Sequence, residues 1–96
     1  MIMDEIKKST LENGVKALYF IGIGGIGMSA VARYFHAQGW WVSGYDKTPT
    51  ALTKELESVG IAVHYEENLD AAPKDVQLVV YTPAIPKEHK ELVFYR

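Results

Sequence analysis

The chain has 96 residues, enough for one small domain with a modest hydrophobic core. Hydrophobic residues make up 48% and charged residues 23%, the balance of a soluble globular domain; the net charge is −2, and no Lys/Arg block offers a nucleic-acid surface. There is no cysteine, which excludes disulfides, thiol catalysis and cysteine metal sites and fits a cytoplasmic protein.

Residues 1–16 are polar and mixed and read as a loose lead-in to a domain over 17–96. From Ala17 to Ala32 the chain is almost wholly apolar or Gly. That run is shorter than the roughly 20 residues a membrane span needs, and its glycines place a turn inside it. Asp4, Glu5 and Glu12 spoil the basic start of a signal peptide. No membrane role is expected.

Ala17–Ile23 reads as a strand, apolar throughout and so covered on both faces. The glycines of "GIGGIG" follow, with Gly22, Gly24 and Gly27 in the pattern G-x-G-x-x-G. A helix is expected from about Gly25 to Gln38, with two apolar rows, Ile26–Ala30–Tyr34 and Gly27–Val31–Phe35, ended by Gly39. Trp40–Tyr45 is a second strand, ending at Asp46. Thr48 reads as the cap of a second helix with Pro49 as its first residue, Leu52, Leu56 and Val59 as its stripe, and Gly60 as its stop. Ile61–Val63 is a short third strand, Gln77–Thr82 a fourth, and Glu88–Phe94 starts a further helix.

Strands alternating with helices predict an α/β, Rossmann-like doubly wound parallel sheet in a single small domain. Ligands of such folds bind beyond the C-terminal ends of the strands. That edge collects the glycine turn, Asp46–Thr48, the region of His64, and Thr82–Pro86.

A strand–glycine turn–helix unit can hold a phosphate on backbone N–H groups at the helix start. The first Gly permits the turn, the second lets the backbone approach the anion, and the third lets helix and strand pack closely. Gly used only for packing is the bland alternative. Asp46 lies nineteen residues beyond Gly27, where a sugar-binding carboxylate would sit, or where a plain turn residue would. Ser29 can donate to a phosphate or to an early helix carbonyl. His64 is either a ligand contact or an exposed edge residue. His36 and His89 read as surface residues, and the three histidines lack the spacing of metal ligands. No nucleophile–base pair and no GxxxxGK[ST] loop is present. Catalytic and metal residues are therefore expected to be none. The turn by itself suits either a nucleotide-linked substrate or an NAD(H)-binding or nucleotide-sensing regulatory domain.

The stretches "FIGIGGIGMS", "VSGYD" and "AIP" closely resemble the N-terminal domain of the Mur ligases of peptidoglycan synthesis, in the branch that joins L-alanine to UDP-N-acetylmuramate. The resemblance runs from about Tyr19 to Leu92. It implies that the turn holds the UDP of UDP-N-acetylmuramate rather than NAD. It also implies that ATP and Mg²⁺ activate the substrate on a central P-loop domain, that a C-terminal domain closes the site, and that this chain alone is inactive. Carried over by position, Gly24, Gly25, Ile26, Gly27 and Ser29 would surround the diphosphate. Asp46, Lys47 and Thr48 would lie near the uridine, and Thr82, Ala84 and Ile85 would border the base. His64 begins "HYEEN", which is similar to a His-x-x-Glu-Asn segment of the family, behind a shorter strand. Thr82-Pro83 stands where the family pattern has two serines, and Pro83 has neither hydroxyl nor N–H to offer.

Overall fold

The computed structural model describes residues 16–73 and 76–95 and the backbone of 2–5. At the centre of its sheet is β2 (Ala17–Ile21), buried at every position. Its side chains alternate between two cores, as the two-residue period of a strand requires. Leu18 and Phe20 join one cluster, whereas Ala17, Tyr19 and Ile21 join the other. Full burial of side chains such as Leu18 and Phe20 stabilises the fold by roughly 1.5–3 kcal/mol each.

Strands β3 (Trp41–Tyr45), β4 (Ala62–His64) and β5 (Leu78–Tyr81) run parallel to β2 in the order β5-β2-β3-β4. The chain steps from β2 to β3 to β4, then returns to the far side of β2. The point where the order reverses lies between β2 and β5, and a crevice forms there. The expected Rossmann-like α/β sheet is thus present, with one addition. β1 (Ile2–Glu5) pairs antiparallel with β5, Ile2 opposite Tyr81 and Glu5 opposite Leu78. A loose lead-in was expected for 1–16. At 2–5 the open edge of β5, with its unpaired N–H and C=O groups, captures the chain instead. The rest of that stretch, 6–15, lies outside the described residues.

α1 (Ile26–Ala37) and α2 (Ala51–Ser58) cover one face. Met28 and Ala32 of α1 are buried, with Val31 and Phe35 packed beside them. The expected row Ile26–Ala30–Tyr34 instead faces outward, with Ile26 83% and Tyr34 60% exposed. Both rows are apolar enough to face a core, so spacing alone does not choose between them. Arg33 of α1 pairs with Glu55 of α2, and His36 Nε2 lies 2.8 Å from the carbonyl of Val59.

α2 begins two residues later than the Thr48–Pro49 reading. Its cap is Thr50, whose hydroxyl accepts from the N–H of Thr53 (3.2 Å) while the Thr53 hydroxyl accepts from the N–H of Thr50 (2.8 Å). A cap at Thr48 would put Ala51 at the third helical position, which has no side chain to complete the box. The opposite face of the sheet carries α3 (Lys90–Tyr95), whose Leu92 and Tyr95 pack with Tyr19 and Ile21.

Candidate functional site

The turn after β2 is tied to the end of β3. Gly22, at φ +94°, donates its N–H to the carbonyl of Tyr45 (2.7 Å), and Ile23 donates to the same oxygen (2.9 Å). A branched residue would be strained at that φ. Gly25 donates to the Gly22 carbonyl (3.2 Å) and becomes the N-cap of α1, where no side chain caps the helix and no acid lies in its first turn. The helix start is therefore open to an anion, as the sequence pattern requires.

Asp46 holds this turn. Its Oδ2 accepts from the N–H of Gly24 (2.7 Å) and its Oδ1 from the N–H of Thr48 (3.2 Å). A Cβ on Gly24 would stand 2.7 Å from that Oδ2 and 2.8 Å from Thr53 Cγ2, so only Gly fits. Gly27 behaves differently from expectation: an added Cβ there meets nothing within 4 Å. It lies on the outer side of the first helical turn, away from the sheet. The close packing assigned to it falls instead to Gly44 of β3, where a Cβ would come within 2.7 Å of the Phe20 carbonyl oxygen and 2.8 Å of Ile23 Cδ1.

A cavity of about 510 Å³ opens at the switch point. Of the expected binding residues, Gly25, Asp46, Lys47, Thr82, Ala84 and Ile85 line it. Thr82 shapes the turn beyond β5, its carbonyl accepting from Ile85 N–H (3.1 Å) and its hydroxyl from Ala84 N–H (3.2 Å). Lys47 brings a cation to a site whose glycine turn has none. Gly24, Ile26, Gly27, Ser29, Thr48 and His64 are not on this wall. Ser29 takes the second of its two readings: it is buried, and its hydroxyl donates to the Ile26 carbonyl (3.1 Å).

His64 points into the face covered by α3. Its Nε2 lies 2.7 Å from Glu91 Oε2 and 3.0 Å from the Tyr19 hydroxyl. Glu91 is fully buried, and its carboxylate also accepts from the Tyr19 hydroxyl and from the N–H of Asn68 (2.9 Å). Burial first, then the hydrogen bond and charge of Glu91, push the Tyr19 phenol far up, so it stays a neutral donor. Burial and the carboxylates of Glu67, Glu91 and Asp46 raise Tyr45 too.

Sequence reasoning missed several residues of the cavity wall, among them Tyr45, Glu67 and His89. His89 was expected at the surface; it is 5% exposed, because its ring packs edge-on against Tyr45 with centroids 4.7 Å apart. The detectable signal was its place just beyond the Ala84–Pro86 turn, on the ligand edge of the sheet.

Comparison with known proteins bears on what this edge is for. The model of the "Mur ligase family, catalytic domain" matches residues 17–96. The chain belongs to the Mur ligase family. It is 53% identical over 87 residues to the UDP-N-acetylmuramate–L-alanine ligase of Porphyromonas gingivalis, covering 85% of this chain and 19% of that protein. It is 56% identical over 87 residues to the ligase of the same name from Flavobacterium psychrophilum, covering 86% and 19%. Among solved structures, the UDP-N-acetylmuramate–alanine ligase of Thermotoga maritima superposes with a TM-score of 0.74 at 34% identity, over 81% of this chain and 18% of that one. The chain thus spans about a fifth of the length of the relatives it matches. Among the described residues no cluster of three or more His, Cys, Asp or Glu could hold a metal ion, and no helix is long and apolar enough to cross a membrane.

Proposed function

We propose that this Mur ligase domain holds the UDP moiety of UDP-N-acetylmuramate for an ATP-dependent ligase that joins L-alanine to it in peptidoglycan synthesis. The observation that carries the reading is a cavity bounded by the glycine turn, Asp46–Lys47 and the Thr82–Pro86 turn, in a chain about half identical to ligases named for that substrate. In this reading the open start of α1 faces the diphosphate, with Gly25 on the cavity wall and Ile26 and Gly27 next to it along the chain. The bare surface at Gly27 leaves room for the anion, and Lys47 offsets its charge. The Asp46 carboxylate, which spends one lone pair of each oxygen on the turn, keeps acceptor capacity for a sugar hydroxyl. Thr82, Ala84 and Ile85 border the base. His64 and Ser29 act from behind the wall, by fixing elements in place.

ATP and Mg²⁺ would be handled by the parts of the relatives that this chain does not span: it has neither a P-loop nor a metal-ligand cluster among its described residues. By itself the domain would have no ligase activity, its partners would be the rest of such an enzyme, and its location would be the cytoplasm. The NAD(H) reading rests on the glycine turn and Asp46, and family membership speaks against it. An NMR titration with UDP-N-acetylmuramate, UDP and NADH tests the proposal. Shifts at Gly24–Gly27, Asp46–Thr48 and Thr82–Ile85 with the two uridine ligands are expected. Equal or larger shifts with NADH would overturn it.

A further inference from the structure

We infer that Glu67 makes the cavity selective for ribonucleotides, its carboxylate accepting a hydrogen bond from a ribose hydroxyl beside Asp46; this rests on the UDP reading above. Glu67 lines the cavity and is solvent-exposed, so a ligand reaches it. Its Oε1 accepts from the N–H of Lys90 (2.9 Å), while Oε2 takes no hydrogen bond from any described residue. One oxygen of the wall is therefore open as an acceptor.

The side chain is also held. His64 Nε2 lies 2.7 Å from Glu91 Oε2, and the N–H of Asn68 donates to the same oxygen (2.9 Å). Both ends of the His-x-x-Glu-Asn segment are thus tied to the fully buried Glu91, and Glu67 between them lines the cavity instead. The bond to Lys90 then fixes its carboxylate against the start of α3. An acceptor fixed in this way loses little freedom on binding.

The rest of the wall decides which group of the ligand it meets. A carboxylate repels a diphosphate and needs a hydrogen donor. UDP offers the two ribose hydroxyls and the N–H of uracil. Burial first, then the charge of Glu67 ahead of those of Glu91 and Asp46, raises the Tyr45 phenol, so Glu67 and Asp46 stand around one ring. Asp46 keeps acceptor capacity beyond its bonds to the turn. Two acceptors on one side of the cavity match two adjacent hydroxyls, whereas uracil presents a single N–H. The sheet order agrees. Asp46 follows β3 and Glu67 follows β4, on the side of the glycine turn away from β5 and the Thr82–Pro86 turn that borders the base.

The test compares UDP with its 2′,3′-dideoxy analogue on the wild-type chain and on Glu67→Ala. The wild-type chain should bind the analogue at least about tenfold more weakly than UDP. Glu67→Ala should weaken UDP by about tenfold and change the analogue by less than about twofold. A wild-type chain that binds both ligands alike overturns the inference alone, and so does UDP binding that survives the substitution. Equal weakening of both ligands also overturns it, because a structural role, or a bond to the uracil N–H, would act on both. Failure of the wild-type chain to bind UDP overturns the UDP reading, and this inference with it. Should Glu67→Ala not fold, Glu67→Gln keeps an oxygen for the N–H of Lys90. It should weaken UDP by about threefold or more and spare the analogue, and the same outcomes overturn the assignment.

Discussion

Asp46→Asn tests how the site is built. A simple turn residue would tolerate the change. Here the carboxylate serves two backbone donors at once, Gly24 at 2.7 Å through one oxygen and Thr48 at 3.2 Å through the other. Asparagine keeps one oxygen. If that oxygen faces Gly24, the amide NH₂ meets the N–H of Thr48, donor against donor; if the amide turns, the shorter bond is lost. A hydrogen bond to a charged group contributes about 1.5–3 kcal/mol, and the exposure of the Thr48 side lowers this to roughly 1–2 kcal/mol for the variant. For a domain of this size each kcal/mol moves the midpoint by about 4–8 °C, so a fall of roughly 5–15 °C is expected. Urea unfolding followed by circular dichroism gives the free energy, and an unchanged m-value would show that the loss is local. The same variant removes a negative charge from beside the Gly24 N–H, so pyrophosphate should bind slightly better. An Asp46→Asn chain as stable as wild type would refute the claim that this carboxylate organises the turn.

Other substitutions separate packing from binding. Gly24→Ala should destabilise by about 2 kcal/mol or more, because its Cβ would overlap Asp46 and Thr53, as thermal unfolding would register. Gly27→Ala should leave the fold unharmed or up to about 1 kcal/mol more stable, since nothing crowds the site and Ala favours helix, yet it should weaken pyrophosphate if the anion approaches there. Glu91→Gln should cost about 2–3 kcal/mol in a denaturant titration, because one carboxylate now satisfies Tyr19, His64 and Asn68 together. Tyr19 and Tyr95 both have phenols raised above their usual value of 10.0, first by burial and then by Glu91. Unfolded tyrosine ionises above that value and folded tyrosine does not, so stability is complete below about pH 10 and falls above it, by roughly 1.4 kcal/mol per pH unit for each residue. Alkaline melts of wild type and Tyr95→Phe should show the shallower slope in the variant.

The parts of the fold visible in the sequence are those set by local pattern. β2 is a continuous apolar run and had to be central. The glycine turn, the stops at Gly39 and Gly60, and the edge residues Asp46 and Thr82–Ile85 follow from short-range chemistry. What was hidden depends on distant partners. The four-residue β1 is too short and mixed to announce itself, and its pairing is made by β5, far along the chain. On α1, the two apolar rows read from the spacing both leave out Met28 and Ala32, and only the position of the sheet picks that pair for the core. Gly44 reads as an interruption of a strand until the Phe20 carbonyl and Ile23 are seen against it.

The histidines and Glu91 show why the rest of the site escaped. A lone Glu in a terminal helix is normally solvated, and nothing near it in sequence suggests otherwise. It is buried because Tyr19, 72 residues away, donates to it, with His64 and Asn68 completing its shell. The same residue then fixes His89, whose Nδ1 takes the Glu91 N–H. A chain of contacts therefore runs from the central strand through Glu91 to the cavity wall. His64, expected to touch a ligand, stands at the other end of this chain. The consequence is that substitutions at His64 should disturb the cavity by loosening α3, and with it the packing of His89 against Tyr45, rather than by removing a ligand contact.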